Sequence, residues 1–188
     1  MSGFVLLARP WWVNLLILAP AVPWLLARKQ KLAIGKPRLI WAAAFGIAFG
    51  FVEAAVVVYM RAATGLLPVP ETNKLIVIPQ TLLRVESFRE AATMVMLIAV
   101  AWLAAKGARE RIVAFLWTFA FWDFFYYVWL RVAIGWPQSL LTPDLLFLLP
   151  APWISEVWFP LLVSGLTIVA VWMCSSRAKA LSRGKLRL

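Results

Sequence analysis

Four carboxylates, Glu53, Glu86, Glu90 and Asp123, interrupt or border long apolar runs in this chain, and Arg61, Arg84, Arg89 and Arg131 stand at similar positions in the same runs. Ionisable groups in such surroundings are rare, and they usually face a protein interior or a water-filled cavity. Three kinds of chemistry suit the set. Carboxylates in a low-dielectric setting can carry protons. Guanidinium groups hold phosphate or carboxylate in a bidentate fork, and Tyr59, Tyr126 and Tyr127 place hydrogen-bond donors nearby. Several carboxylates can also share a cation.

The cation is the weakest of these. Dinuclear sites in helix bundles typically add a Glu-x-x-His motif, and the chain contains no His. An all-oxygen Mg, Mn or Ca site survives that test. The four Arg residues balance the four acids, however, and a metal would have to displace guanidinium forks already on the carboxylates. No metal and no cofactor is therefore expected. What remains is a self-neutralised cluster of Glu53, Arg61, Glu86, Arg89, Glu90, Asp123, Tyr126, Tyr127 and Arg131. It either fixes helix register as buried ion pairs or binds a ligand.

The elements that must position these groups follow from composition. Of 188 residues, 64% are hydrophobic and 14% charged, against about 45–50% and 25% in soluble domains. With a mean hydropathy of +0.86, too little polar material remains for a water-facing surface, which excludes a cytosolic enzyme, a secreted domain and a disordered regulator. One Cys, Cys174, excludes an internal disulfide framework and, with no His to activate it, reads as inert. There is no Gly-rich phosphate loop, no Ser-His-Asp set and no CxxC.

About 20 apolar residues cross a bilayer as a helix. Five stretches qualify, at about 10–27, 39–60, 86–105, 112–132 and 153–174, and together they predict an all-α transmembrane bundle forming a single integral membrane domain over 1–188. The first is short and kinked by Pro20 and Pro23. Arg9 stands alone in front of it while Arg28, Lys29 and Lys31 follow, which reads as a retained anchor rather than a signal peptide. Thirteen of the nineteen Lys and Arg residues fall in the connection after the first stretch, the connection after the third, and the tail. Basic residues stay on the cytoplasmic side, so the N-terminus is expected outside and the C-terminus inside. Ten of the twelve Trp residues, all but Trp117 and Trp122, lie near the ends of these stretches, where indole rings favour the headgroup zone.

The net charge of +11 is thus mostly topology, with the basic tail facing anionic lipid headgroups. The basic loops are too short to form a nucleic-acid-binding domain. Partners are expected to be the lipid bilayer and, beyond it, an anionic lipid or other membrane subunits. Short loops and Trp belts suit a prokaryotic plasma membrane.

Two connections on the outer side are long and Pro-rich. Prolines in 61–85 forbid a sixth spanning helix. Thr142-Pro143-Asp144 reads as a helix start ahead of Leu145–Leu149, predicting a short interfacial helix near 143–149. Ser155-Glu156 reads as the cap of the last span. Either connection rests on the membrane or acts as a lid over an outward cavity.

At 100° per residue, Gly46, Gly50, Glu53 and Val57 share one stripe of the second span. Its two glycines form a small-xxx-small surface for close helix contact. Glu86, Arg89, Glu90 and Thr93 share a face of the third span, and Asp123, Tyr126 and Tyr127 a face of the fourth. Spans two to four are therefore expected to form the centre of the bundle, with the cluster in its outer half. Asn14 and Thr118 are expected to bond their own backbone or a neighbouring helix. By function, the leading expectation is a structural or accessory membrane component. The second is a membrane-embedded enzyme or binding protein with an outward pocket for an anionic amphiphile such as a lipid. A transporter or channel comes third, because no charged residue continues a path through the inner halves of the spans. A pocket of several hundred Å³ opening outward and lined by Glu53, Arg61, Glu90, Asp123 and Tyr126 would favour ligand binding, and a dry, fully paired cluster the structural role.

Overall fold

Gly35 is extended and Pro37 occupies the first turn of the helix that follows, where an N–H would have no helical acceptor. From there an almost uninterrupted apolar run sustains α2 (Lys36–Ala63). A computed structural model of the chain describes residues 8–29, 32–65, 67 and 80–184. Before α2 come a 3-10 helix, Trp11–Leu18, and α1 (Ala21–Lys29). After it come α3 (Gln80–Ala104), α4 (Ala108–Ile134) and α5 (Trp158–Gly184). Gly135, at φ 71°, ends α4 by turning left-handed and donating its N–H to the Arg131 carbonyl.

The protein is mostly helical, and four of its helices are long and apolar enough to cross a bilayer. The first expected span is broken. Pro20 supplies no N–H, and the 3-10 helix and α1 meet at a 48° bend, so this pair counts as a fifth crossing only if taken together. Asn14 bonds its own backbone, accepting from the Ala8 N–H and donating to the Ala8 and Trp11 carbonyls. Large apolar side chains face outward all along the helices, among them Leu103 at 85% and Phe88 at 78% exposure. In water such a surface would be a liability.

The segment expected to form an interfacial helix is a strand. β1 (Pro143–Phe147) pairs antiparallel with β2 (Trp153–Glu156), setting Asp144 opposite Ser155 and Phe147 opposite Trp153. Five apolar residues before Pro150 are too few to repay helix nucleation, whereas pairing with β2 satisfies their backbone at once. Thr142 accordingly caps no helix; its hydroxyl accepts from the Ser139 N–H. Ser155 and Glu156 lie in β2 rather than at a helix start, and Glu156 accepts from the Trp158 indole at 2.8 Å. The chain beginning adds a further bridge, with Arg9 and Ile154 exchanging two backbone hydrogen bonds of 2.8 Å.

α4 is the hub and packs on α2, α3 and α5. α2 and α4 run parallel with Gly46 and Gly50 against the α4 backbone. Indole donors reinforce the contact, Trp117 reaching the Leu39 carbonyl at 2.7 Å and Trp129 the Ile47 carbonyl at 3.0 Å. Thr118 donates to its own helix at Ala114. One buried apolar cluster, including Leu39, Ala101, Val113, Trp117 and Val171, fills the end where α2 and α4 begin. Most of the first long connection, and the basic side chains of the tail, lie outside the described residues.

A Cβ added at Gly46 would stand 2.8 Å from the Thr118 carbonyl oxygen, and one at Gly50 2.8 Å from that of Trp122. Neither backbone group can rotate aside. Gly46→Ala with Gly50→Ala should therefore cost about 1–3 kcal/mol of stability per site, read as a lower thermal midpoint in detergent, despite the better helix propensity of Ala. Gly165→Ala, with nothing within 4 Å, should be neutral or stabilising. Equal midpoints for the double variant and the Gly165 control would contradict the α2–α4 contact.

Candidate functional site

On α2, Glu53, Val57, Arg61 and Thr64 recur at helical spacing along the line begun by the two glycines. On α3 the same logic aligns Glu86, Arg89, Glu90 and Thr93, and on α4 it aligns Asp123, Tyr126 and Tyr127. These faces, together with Trp122, Trp136 and β1, enclose a cavity of ≈ 140 Å³ at the end of the bundle opposite the basic connections. That is close to the ~150 Å³ of cavities that admit a benzene-sized molecule.

Arg89 is the clasp of the site. Its guanidinium pairs with Glu53 of α2 and with Glu86 one turn earlier on its own helix, the latter also through Nε at 2.9 Å. Thr93 donates its hydroxyl to Glu53 as well. The other carboxylates are met by neutral donors. The Leu148 N–H is shared between the two Glu90 oxygens at 3.0 and 2.9 Å, tying α3 to the end of β1. Ser164 of α5 donates to Asp123 at 2.7 Å. Tyr127 donates to Asp144 of β1 at 2.7 Å.

Arg61 is different. It is 7% exposed, lines the cavity and forms no ion pair with any described carboxylate. Its Nη1 is buried without a hydrogen-bond partner. The guanidinium lies over the Trp136 ring, 4.4 Å from the centroid.

No known family profile matches the chain, and no curated protein or solved structure matches it either. The site's chemistry must be read from its own residues.

Eight of the nine side chains singled out from the sequence line this cavity: Glu53, Arg61, Glu86, Arg89, Glu90, Asp123, Tyr126 and Tyr127. Arg131 does not. It is exposed in the last turn of α4, beyond the cavity, and donates to the Pro137 carbonyl at 3.0 Å. Arg84 and Tyr59 are exposed too. Sequence reasoning missed Asp144, Ser164 and Trp136. Asp144 was read as part of a helix start, and Trp136, assigned to an interfacial belt, is instead buried at 7% exposure beneath Arg61. The signal for Asp144 was its place among apolar residues; a strand reading of 143–147 would have turned it inward.

The neutrality inferred from sequence therefore fails. Among the described residues five carboxylates and two guanidiniums line the cavity, and of those carboxylates only Glu53 and Glu86 form an ion pair with a described cation. Among the described residues no three acidic, His or Cys side chains are arranged to hold a metal ion. Asp144 shows how the balance is met outside the helices. Burial pushes its carboxyl above the usual range, while the Tyr127 hydroxyl, Arg61 and the Leu145 N–H pull it partly back.

Two outcomes follow. Arg89→Met strands Glu53 and Glu86 without a cation, and breaking a buried pair costs about 3–5 kcal/mol. The thermal midpoint in detergent should fall by at least about 6 °C, and a shift within error would show that the clasp is not formed. For Asp144, the folded chain holds the proton more tightly than the unfolded chain. Stability from this group is thus fullest at low pH and declines as pH rises from about 4 through the raised value. Asp144→Asn should remove that decline, read as the difference between variant and parent midpoints across pH; a pH-independent difference would contradict it.

Proposed function

We propose that this chain is an integral membrane protein whose cavity binds the polar head of an amphiphile, with Arg61 holding an anionic group of that head. The positive-inside pattern supports an outward-facing cavity, with the chain's beginning outside. The observation that carries the reading is the unpartnered guanidinium. Removing an ion from water costs several kcal/mol, of which contact with the Trp136 face returns about 0.5–2 kcal/mol. Asp144 attracts the guanidinium from beyond ion-pair distance, but among the described residues none accepts a hydrogen bond from its Nη1, whereas a phosphate or carboxylate in the cavity would accept from the fork directly. Tyr126 lines the same space and offers a further donor.

The cavity, at ≈ 140 Å³, is smaller than the several hundred Å³ that would by itself argue for a ligand, and has room for a small polar head. Arg89 with Glu53 and Glu86 is the structural part, joining α2 to α3, and it leaves Arg61 free to serve a ligand. A through-path for transport finds less support, since the apolar cluster around Leu39, Trp117 and Val171 fills the opposite end.

A guanidinium kept for a ligand is a stability cost in its absence. In Arg61→Met, native mass spectrometry of protein extracted gently from its own membrane should show loss of the bound amphiphile that the parent retains. The thermal midpoint of the delipidated variant should equal or exceed that of the delipidated parent. A large fall in midpoint with the amphiphile still bound would make Arg61 a structural residue and end this reading.

A further inference from the structure

The cavity carries a charge problem that a purely anionic head would make worse. Besides Arg61, its wall presents Glu90, Asp123 and Asp144, whose hydrogen-bond donors are all neutral: the Leu148 and Leu149 N–H groups for Glu90, the Ser164 hydroxyl for Asp123, and the Tyr127 hydroxyl and Leu145 N–H for Asp144, which Arg61 attracts without forming an ion pair. A carboxylate has about four acceptor positions, so each keeps unused lone pairs. Repulsion between these groups and an anionic ligand is strong at the low dielectric of a buried site.

Building on the anion role of Arg61, we infer that the head is zwitterionic: a phosphate on Arg61 and a primary ammonium on the acidic side of the wall, where it takes its acceptors from Glu90, Asp123 or Asp144. A primary ammonium brings three N–H donors and one positive charge to a wall with excess acceptors and negative charge. It therefore resolves both mismatches at once. A quaternary ammonium has no such donors and is recognised through aromatic faces, and the Trp136 face is already occupied by Arg61. Size agrees as well, since a phosphoethanolamine-type head of a few heavy atoms suits a cavity of ≈ 140 Å³. Such a head comes either on a diacyl lipid or as a free phosphoamine.

The full chain in detergent is titrated separately with phosphatidylethanolamine, phosphatidylglycerol and phosphatidylcholine, and bound lipid is counted by native mass spectrometry. Only binding that Arg61→Met abolishes is scored. Phosphatidylethanolamine should be retained at least about tenfold more tightly than either other lipid. Glu90→Gln combined with Asp144→Asn should bring the ethanolamine and glycerol lipids within about twofold of each other while leaving Arg61-dependent binding in place. Excess O-phosphoethanolamine tests the source. Displacement of the lipid by it supports the head alone as sufficient, and failure to displace supports a lipid ligand. Equal retention of all three lipids by the parent chain overturns the ammonium assignment but leaves the anion role of Arg61 standing. Absence of any Arg61-dependent binding, of lipid or of O-phosphoethanolamine, overturns both.

Discussion

An ionised side chain in apolar surroundings must find its counter-charge within the protein, and Arg89 is where this chain meets that requirement. Its guanidinium joins Glu53 of α2 to Glu86 of its own helix. α2 and α3 otherwise touch little, so the clasp sets their spacing near this end of the bundle. α4 fixes the rest, drawn against α2 by two glycines too small to keep it away and held there by indole donors on backbone carbonyls. The cavity is the space left where two helices are packed as tightly as backbone allows and the third is held off by an ion pair.

Much of this was legible from residue spacing. Periodicity on the second, third and fourth apolar runs placed eight cavity-lining side chains on three mutually facing stripes, because helical geometry converts sequence offset into direction with little ambiguity. The break at Pro20 was visible for the same reason. Legibility failed where direction depends on tertiary pairing. Whether Pro143–Phe147 forms a turn of helix or a strand is decided by β2, ten residues away, and local propensity carries little weight against a complete set of partners. That one error concealed Asp144. Arg131 and Arg84 fail for a separate reason: equal depth along a helix does not bring side chains together when they point in different directions around it.

The consequence for charge is large. Counted along the sequence, acids and guanidiniums balance; counted around the cavity, five carboxylates face two cations. A balanced cluster would be an inert ion-pair lattice with uncertain net value to stability. An unbalanced one, with one guanidinium buried and uncommitted, is a set of interactions awaiting completion. Shape and volume identify a space. The uncommitted groups identify what would make it neutral.

The hairpin also has a mechanical meaning. Its two strands are anchored to α4 through Tyr127, to α3 through Glu90 and to the chain's beginning through Arg9. A ceiling riveted at three separate points does not swing on any one of them, and the loss of a single tie leaves two to hold the roof of the chamber.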